Sequence, residues 1–262
     1  MKEIEANKAA WAKLAEDHYH RFKKVLSERP SLINRIIQDE LGDVQGKKVI
    51  HLQCNTGADT VSLSRMGAKA TGVDLVPLNI HYAKKLAEDF NLDTKFIESD
   101  IMTLKDHHQE KYDIVFTSEG VIGWLPDLNR WAETIHHLLK DDGFFYINES
   151  HPFLMTLDEK ALNENKFILK YPYFDSTADE ENEIGGYASH PKEATNYFWM
   201  YTLSDIINAL IKSGLCIEFF NESDALAWNH GGMQQIEEGL YQHPYFKGKF
   251  PLQFSLKATK RK

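Results

Sequence analysis

From residue 48 onward, short apolar runs alternate with amphipathic segments of helical period, and this alternation constrains the fold more than any other feature of the chain. The predicted strands are 49–52, 70–73, 94–97, 113–117, 144–148 and 215–220, with a final strand near 250–258 in which apolar and polar residues alternate. The predicted helices among them are 58–66, 77–90, 127–139 and 202–213. Strands separated by helices form right-handed βαβ units, so the sequence predicts an α/β fold with a largely parallel sheet and helices on both faces.

Two regions lie outside this alternation. Residues 1–45 contain a predicted helix over 3–26 and another after Pro30, which together form an N-terminal helical extension. Residues 152–200 have few periodic runs, and a structureless loop of that length is unusual in a compact domain, so we expect a structured insertion with short strands that caps the site. This insertion is rich in aromatic residues: Phe153, Phe167, Tyr171, Tyr173, Phe174, Tyr187, Tyr197, Phe198 and Trp199.

The 262 residues contain no linker rich in Pro, Gly or Ser, which predicts a single domain. Its parts are the extension 1–45, a cofactor-binding core 46–151, the capping insertion 152–200 and a C-terminal part of the core sheet, 201–262. The insertion is expected to form much of an acceptor pocket. Its aromatic residues suggest an apolar, planar or cationic acceptor, although a small core of the insertion itself explains them equally well.

The formal net charge is −9 and the pI is near 5.7, which argues against nucleic acid or an anionic membrane as the main partner. Two cysteines cannot make a disulfide framework, the N-terminus does not resemble a signal peptide, and no window approaches about 18 apolar residues. A cytoplasmic protein without a membrane span is therefore expected. The histidines lack the spacing of a zinc site, so no metal is predicted.

The strand 49–52, the turn 53–57, the helix after it and a strand ending at Asp74 occur in the order that builds a nucleoside-cofactor site. Such a turn directs backbone N–H groups and a helix N-terminus at a bound anion, while Asp74 can accept both hydroxyls of a ribose. Asp100 ends the next strand, where an acid can accept from an adenine amino group while Ile101 covers the ring. For Asp100 alone, a helix N-cap is an equally good interpretation.

These segments, in this order, resemble the class I S-adenosylmethionine-dependent methyltransferases. The matching segments are 51–57, 72–77, 98–101, 112–115 and 138–144, and the residues 51–54, 124–128 and 149–153 resemble a bacterial branch of that superfamily with small-molecule substrates. The resemblance implies a Rossmann-like, seven-stranded mixed sheet whose last strand is antiparallel. It also implies that S-adenosylmethionine lies across the carboxyl ends of strands one, two and four.

The turn departs from the family pattern at three positions. His51 replaces the usual acid, and Gln53 and Asn55 replace two glycines. Asn tolerates a left-handed backbone better than other non-glycine residues, so Asn55 can serve the turn. The Gln53 amide could bond the methionine end of the cofactor, whereas His51 weakens recognition of the methionine amine unless a neighbour such as Glu119 compensates.

The cofactor-binding residues implied by the resemblance come from the extension, the turn and the strand ends. They are Trp11, Tyr19, His51, Gln53, Asn55, Gly57, Asp74, Leu75, Asp100, Ile101 and Ser118. Trp11 and Tyr19 are included because an N-terminal helix often lies over the cofactor in this superfamily. For Trp11, a place in the ordinary core is an equally good interpretation.

Methyl transfer requires a nucleophile held in line with the methyl group and, for a protonated nucleophile, a base. His151 is the preferred base candidate, and Glu149 and Glu119 are the others. A plain hydrogen-bonding role for His151 is the alternative. The sequence thus predicts a methyltransferase for a small-molecule acceptor, as a monomer or a homodimer. The rival hypotheses are a cofactor-binding protein without transferase activity and a nicotinamide-dependent reductase.

Overall fold

The computed structural model describes residues 2–185 and 188–261, so Tyr187 of the insertion lies outside the described residues. The helices are α1 (Lys2–Ala12), α2 (Ala15–Glu28), α3 (Arg35–Leu41), α4 (Ala58–Arg65), α5 (Pro77–Asp89), α6 (Leu104–His107), α7 (Leu128–Leu138), α8 (Glu159–Asn163) and α9 (Leu203–Lys212). The strands are β1 (Lys48–Leu52), β2 (Lys69–Asp74), β3 (Lys95–Glu98), β4 (Tyr112–Thr117), β5 (Leu139–Ser150), β6 (Ala178–Ile184), β7 (Lys192–Trp199), β8 (Leu215–Ser223), β9 (Gln234–Glu237), β10 (Leu240–Gln242) and β11 (Gln253–Lys260). Single turns of 3-10 helix cover Ile122–Trp124 and Leu154–Thr156.

The central sheet has seven strands in the order β3-β2-β1-β4-β5-β11-β8. Strands β1 to β5 pair in parallel, whereas β11 runs antiparallel between β5 and β8. The predicted seven-stranded mixed sheet with an antiparallel final strand is therefore confirmed. Because the carboxyl ends of β1 to β5 meet at one edge, the polar residues that follow these strands are brought together there.

Apolar side chains cover both faces of this sheet, which is why its central strands are buried on both sides. On one face the Trp131 ring of α7 packs edge-on against Phe145, with ring centroids 5.5 Å apart. On the other face Phe116 and Tyr146 stack at 6.1 Å and pack in one cluster with Ile37 and Leu41 of α3. A side-chain cap begins α7, where Asp127 accepts two backbone N–H groups.

The predicted helix over 3–26 is wrong in one respect, because it is interrupted between α1 and α2. Leu14 donates its backbone N–H to the Trp11 carbonyl at 3.0 Å, a tighter turn than an α-helix makes, and its side chain is fully buried in a cluster with Ile184 of β6. Asn7 holds α1 to β7 through two hydrogen bonds with the Tyr197 backbone, of 2.8 Å and 2.7 Å. Packing on the insertion thus sets the direction of α1.

The insertion contains the short strands that were expected. Strands β6 and β7 form an antiparallel hairpin beside α1. The β9–β10 hairpin was not predicted, because its short polar sequence has no apolar alternation.

No helix in the described part of the chain is long and apolar enough to cross a membrane. Within residues 2–185 and 188–261, no group of three or more His, Cys, Asp or Glu side chains could hold a metal ion. Cys54 is buried and Cys216 is exposed, and both are free thiols.

Candidate functional site

The turn between β1 and α4 contains three residues with positive φ: Gln53 at 56°, Asn55 at 51° and Gly57 at 78°. This conformation suits glycine, is tolerated by asparagine and strains a glutamine. Gly57 is also required by space, since a Cβ there would lie 2.8 Å from the Cβ of Ala83 and from the Phe96 ring. The turn therefore has a glycine-loop shape although two of its three left-handed residues are not glycine.

His51, at the end of β1, uses both ring nitrogens inside the protein. Nδ1 lies 2.9 Å from Thr60 Oγ1, and Nε2 lies 3.0 Å from Ser118 Oγ. Burial lowers the pKa of His51 to about 3, so the ring is neutral at physiological pH. His51 thus ties β1 to α4 and to the segment after β4 without adding charge to the site.

Asp74, at the end of β2, holds the turn in place. Its carboxylate accepts hydrogen bonds from the backbone N–H groups of Asn55 at 2.8 Å and Val76 at 2.9 Å, and from Asn79 Nδ2 at 3.1 Å. Burial raises the pKa of Asp74 to about 6, and these hydrogen bonds limit the rise. Because a carboxylate has about four acceptor sites, Asp74 retains the capacity to bind a ligand hydroxyl.

A cavity of about 670 Å³ lies at the carboxyl ends of these strands, a size typical of small-molecule sites. Most of the residues predicted from the sequence line it: Trp11, His51, Gln53, Asn55, Asp74, Leu75, Asp100, Ile101, Ser118, Glu119 and Glu149. The lining also includes residues that the sequence reasoning missed, among them Phe22, Arg29, Asp59 and Trp124. The position of Asp59 in the first turn of α4 was the one available signal for it.

Three of the predicted residues do not line this cavity: Tyr19, Gly57 and His151. Tyr19 joins α2 to α5, because its hydroxyl donates to Asp89 Oδ2 at 2.6 Å. Gly57 lies against Ala83 and the Phe96 ring, where the turn has no space for a side chain. His151 accepts the backbone N–H of Phe153 at 3.0 Å, and its Nε2 lies 3.1 Å from Glu222 Oε1. This geometry fits the alternative interpretation of His151 as a hydrogen-bonding residue.

Glu149 has both carboxylate oxygens occupied by backbone donors. Oε1 accepts from Gly120 at 2.6 Å and from Ser150 at 2.7 Å, while Oε2 accepts from Val121 at 2.8 Å and from Ile122 at 3.1 Å. Burial raises the pKa of Glu149, and these four hydrogen bonds limit the rise while leaving the carboxylate little capacity to accept a substrate proton. The contacts therefore support a positioning role, in which Glu149 holds the segment that follows β4, rather than the predicted role of base.

Glu119 is the carboxyl group with free capacity at the same end of the cavity. Burial, together with the nearby charges of Glu149 and Asp59, holds the pKa of Glu119 well above its usual range. Its Oε1 has no hydrogen-bond partner within the described residues. Glu119 can therefore bind a donor or a cation that enters the cavity, and doing so would offset the cost of its burial.

Gln53 reaches across to the segment after β4. Its Nε2 donates to the Val121 carbonyl at 3.0 Å, and its Oε1 is buried without a hydrogen-bond partner among residues 2–185 and 188–261. The Gln53 side chain thus links the turn after β1 to the segment that Glu149 holds, and its Oε1 is left as an acceptor for a ligand.

Aromatic rings from three elements form one wall of the cavity. Trp124 packs edge-on against Trp11 of α1 at 5.1 Å and against Phe198 of β7 at 5.3 Å. Gly123 permits this approach, because a Cβ there would lie 2.0 Å from the Phe198 ring. The N-terminal extension and the insertion therefore meet over the cavity.

The family model described as "Methyltransferase domain" matches residues 43–203, which is more than half of the chain. The chain belongs to this family. The match covers the whole strand-and-turn unit that builds the cavity, and it confirms the predicted methyltransferase superfamily and the prediction that this protein is an enzyme.

Curated relatives agree with this assignment, and a solved structure has the same fold. A ubiquinone biosynthesis O-methyltransferase of Actinobacillus pleuropneumoniae serotype 5b is 28% identical over 116 residues, which cover 43% of this chain and 49% of the relative. The chain thus spans about half the length of this relative. The enzyme of the same name from serotype 7 is 28% identical over 185 residues, covering 63% of this chain and 78% of the relative. An S-adenosylmethionine-dependent methyltransferase from Clostridium acetobutylicum has the same fold, with a TM-score of 0.56 and 14% identity, over 93% of this chain and 92% of that one.

Proposed function

We propose that this methyltransferase transfers the methyl group of S-adenosylmethionine to a small-molecule acceptor. One observation carries the proposal: Asp74, which ends β2, and Asp100, which follows the adjacent strand β3, line the same cavity as the left-handed turn after β1. Carboxylates so placed suit the two ends of an adenosine, with Asp74 at the ribose and Asp100 at the adenine.

The residues present fit this cofactor. Buried polar atoms without partners in the described part of the chain, Gln53 Oε1 and Glu119 Oε1, belong to residues that line the cavity beyond the adenosine end. When bound, S-adenosylmethionine supplies an electrophilic methyl group, so the protein needs chiefly to hold the acceptor in line and exclude water. The aromatic wall of Trp11, Trp124 and Phe198 suits both tasks.

The ammonium group at the methionine end of the cofactor requires a carboxylate. Residue 51, where the family usually has an acid, is a histidine, so another residue must supply it. Glu119 and Asp59 both line the cavity, and Asp59 lies close enough for its charge to raise the pKa of Glu119. His51 is neutral and fully engaged with Thr60 and Ser118, so it cannot attract an ammonium group. We therefore assign recognition of the cofactor ammonium to Glu119, with Asp59 beside it.

The acceptor is a small molecule, and the formal net charge of −9 argues against nucleic acid as the acceptor. The named relatives are O-methyltransferases, which supports an acceptor with a hydroxyl group. The protein is proposed to work in the cytoplasm, as a monomer or a homodimer.

Calorimetric titration with S-adenosylmethionine, followed by assays of S-adenosylhomocysteine production over phenols, amines and carboxylic acids, tests the proposed function. We expect binding and turnover with at least one class of acceptor. Binding without turnover would favour a cofactor-binding protein, and affinity for NAD or NADP instead would favour a reductase. Failure to bind S-adenosylmethionine at millimolar concentration would overturn the proposal.

The affinity for S-adenosylhomocysteine is expected to increase with pH through the raised pKa of Glu119. The ammonium group binds the ionised carboxylate, whereas the free protein favours the protonated one, so binding releases a proton. In Glu119→Gln the part of this increase that Glu119 causes should disappear, which leaves only the part that Asp74 causes, and the affinity at high pH should fall about tenfold for each unit by which ligand binding lowers the pKa of Glu119. Titration from pH 5.5 to 8 in buffers of different ionisation enthalpy measures both effects.

The pKa of Asp74 is also raised, so a second ligand is needed to distinguish the effect of Glu119 on binding from that of Asp74. 5′-Methylthioadenosine has the ribose and adenine but no ammonium group, so its pH profile should be the same in the wild type and in Glu119→Gln. An S-adenosylhomocysteine profile that is unchanged by the substitution would contradict the assignment of Glu119.

A further inference from the structure

A second histidine, His230, lines the cavity besides His51. The Nε2 atom of His230 is buried and has no hydrogen-bond partner within residues 2–185 and 188–261, whereas both ring nitrogens of His51 are engaged. A buried polar atom without a partner costs free energy that a ligand can recover by supplying one. His230 is therefore available to a molecule that enters the cavity.

A tight turn holds His230 against the start of α8. Across this turn the Asn229 side chain accepts the Met233 backbone N–H at 2.8 Å. Gly231 has a φ of 67°, and a Cβ there would lie 2.6 Å from the Cβ of Leu162, so glycine permits the close approach to α8. The backbone that carries the imidazole is thus fixed, as is required of a group that must meet a substrate in a set geometry.

Glu159, the first residue of α8, acts on His230 through its charge. Both residues line the cavity. Burial lowers the pKa of His230, so its ring is neutral at physiological pH and can accept a proton, while the charge of Glu159 limits the lowering. The same charge would stabilise the imidazolium once a proton has been accepted. The two side chains therefore have the properties of a base and its carboxylate partner.

The segment that carries His230 also reaches the methionine end of the cofactor site. The Ala227 backbone N–H donates a hydrogen bond to Glu119, the residue proposed to bind the cofactor ammonium. Three residues of chain span at most about 10 Å, so the Cα of His230 lies within that distance of Ala227. Trp228, between them, lines the cavity. An acceptor that approaches the methyl group from this side would meet both an aromatic ring and the imidazole.

The three base candidates from the sequence leave this role open. His151 does not line the cavity. Glu149 is occupied by four backbone N–H donors, and Glu119 is assigned to the cofactor ammonium. Transfer to a protonated nucleophile therefore needs a base from another part of the cavity wall.

We propose that His230 is the general base for a phenolic acceptor and that Glu159 stabilises its protonated form. The inference rests on the proposed methyl transfer from S-adenosylmethionine. The phenol proton passes to the imidazole, and the phenol oxygen forms a bond to the methyl carbon. The bond from that carbon to sulfur breaks, with its electron pair remaining on sulfur. The imidazolium then releases its proton to water.

The strength of an imidazole base favours a phenol over other acceptors. A phenol has a pKa of about 10, whereas an aliphatic hydroxyl group resembles water, at about 16. An imidazole therefore accepts the phenol proton far more readily. Carboxylic acids are ionised at pH 7 and need no base. Amines must also lose a proton, but the named relatives are O-methyltransferases.

Two phenols that differ in ionisation test the proposal with the full chain and saturating S-adenosylmethionine at pH 8.5. Phenol itself is protonated at this pH, whereas 4-nitrophenol is ionised and needs no base. In His230→Gln we expect kcat with phenol to fall at least about 100-fold and kcat with 4-nitrophenol to fall less than about threefold. Glu159→Gln should show the same difference between the phenols, with a smaller loss.

A spectroscopic titration provides a readout that does not depend on turnover. The visible absorbance of 4-nitrophenolate reports the ionisation of the phenol when it binds the complex of the protein with S-adenosylhomocysteine. At pH 6 the wild type should bind a larger fraction as phenolate than His230→Gln does, because the imidazole takes the proton. Equal fractions would overturn the proposal.

His20→Gln is the matched control, the same substitution at an exposed histidine of α2 that does not line the cavity, and it should behave as the wild type does. Calorimetry with S-adenosylhomocysteine should give His230→Gln the cofactor affinity of the wild type. An equal loss of kcat with both phenols would indicate a structural role and overturn the proposal. So would turnover of an amine or a carboxylic acid but of neither phenol, although the proposed methyl transfer would then stand. Failure to bind S-adenosylmethionine would instead overturn the proposed function itself, and this inference with it.

Discussion

Replacement of Asp74 by alanine is expected to lower the affinity for S-adenosylmethionine by at least about tenfold, since a charge-assisted hydrogen bond to a ribose hydroxyl would be lost. A second effect acts in the same direction. Asp74 accepts the backbone N–H of Asn55, so its loss also frees the turn that approaches the cofactor. Calorimetric titration of both S-adenosylmethionine and adenosine measures the loss, and adenosine should be affected to a similar degree because the effect is at the nucleoside end.

Two further variants test this prediction, one at Asp74 itself and one as a control. Asp74→Asn keeps the shape but places an N–H₂ group where the carboxylate accepts from Val76 or Asn55, so its affinity should also decrease. Asp93→Ala, at an exposed acid after α5, should bind as the wild type does. Retention of affinity within a factor of about three in Asp74→Ala would contradict the assignment of the ribose site, since it corresponds to less than one hydrogen bond.

The elements of the sheet could be predicted because each depends on a local pattern. The boundaries of β5 could not. The sequence predicts a strand over 144–148, since Asp142-Gly143 indicates a turn, yet β5 spans Leu139–Ser150. It is extended by pairing with β4 at one end, where Tyr112 lies opposite Leu139, and with β11 at the other. Such pairing joins residues distant in sequence, and no local signal reports it.

Some residues of the candidate site could likewise be predicted from the sequence, and others could not. Asp74 and Asp100 were predictable because the carboxyl end of a parallel strand is a fixed place in the fold. That Phe22 lines the cavity in place of the predicted Tyr19 was not predictable, since the face of α2 that meets the cavity depends on the break at Leu14 and on the packing of Leu14 against β6. A sequence shows which residues share a helix face, but not what that face covers.

Glu149→Gln is expected to lower the free energy of unfolding by about 3 kcal/mol at pH 7, because an amide cannot accept all the backbone N–H groups that the carboxylate holds. Its N–H₂ group would face donors from Gly120 and Ser150, or from Val121 and Ile122, and would leave them unpaired in a buried region. Glu149→Ala should cost at least as much. Urea denaturation followed by tryptophan fluorescence measures the change.

The matched control is Glu119→Gln, the same substitution at a neighbouring buried carboxyl whose Oε1 accepts no hydrogen bond from the described residues. Burial keeps the pKa of Glu119 far above its usual range, so the neutral amide resembles the protonated carboxyl and the free energy of unfolding should change by less than about 1 kcal/mol. The pair also separates the two roles considered for Glu149. If Glu149 is the base, Glu149→Gln would lose turnover while its unfolding free energy and cofactor affinity remained those of the wild type. If Glu149 positions the segment after β4, stability and cofactor affinity should fall together, because that segment carries Glu119 and the Val121 carbonyl that holds Gln53.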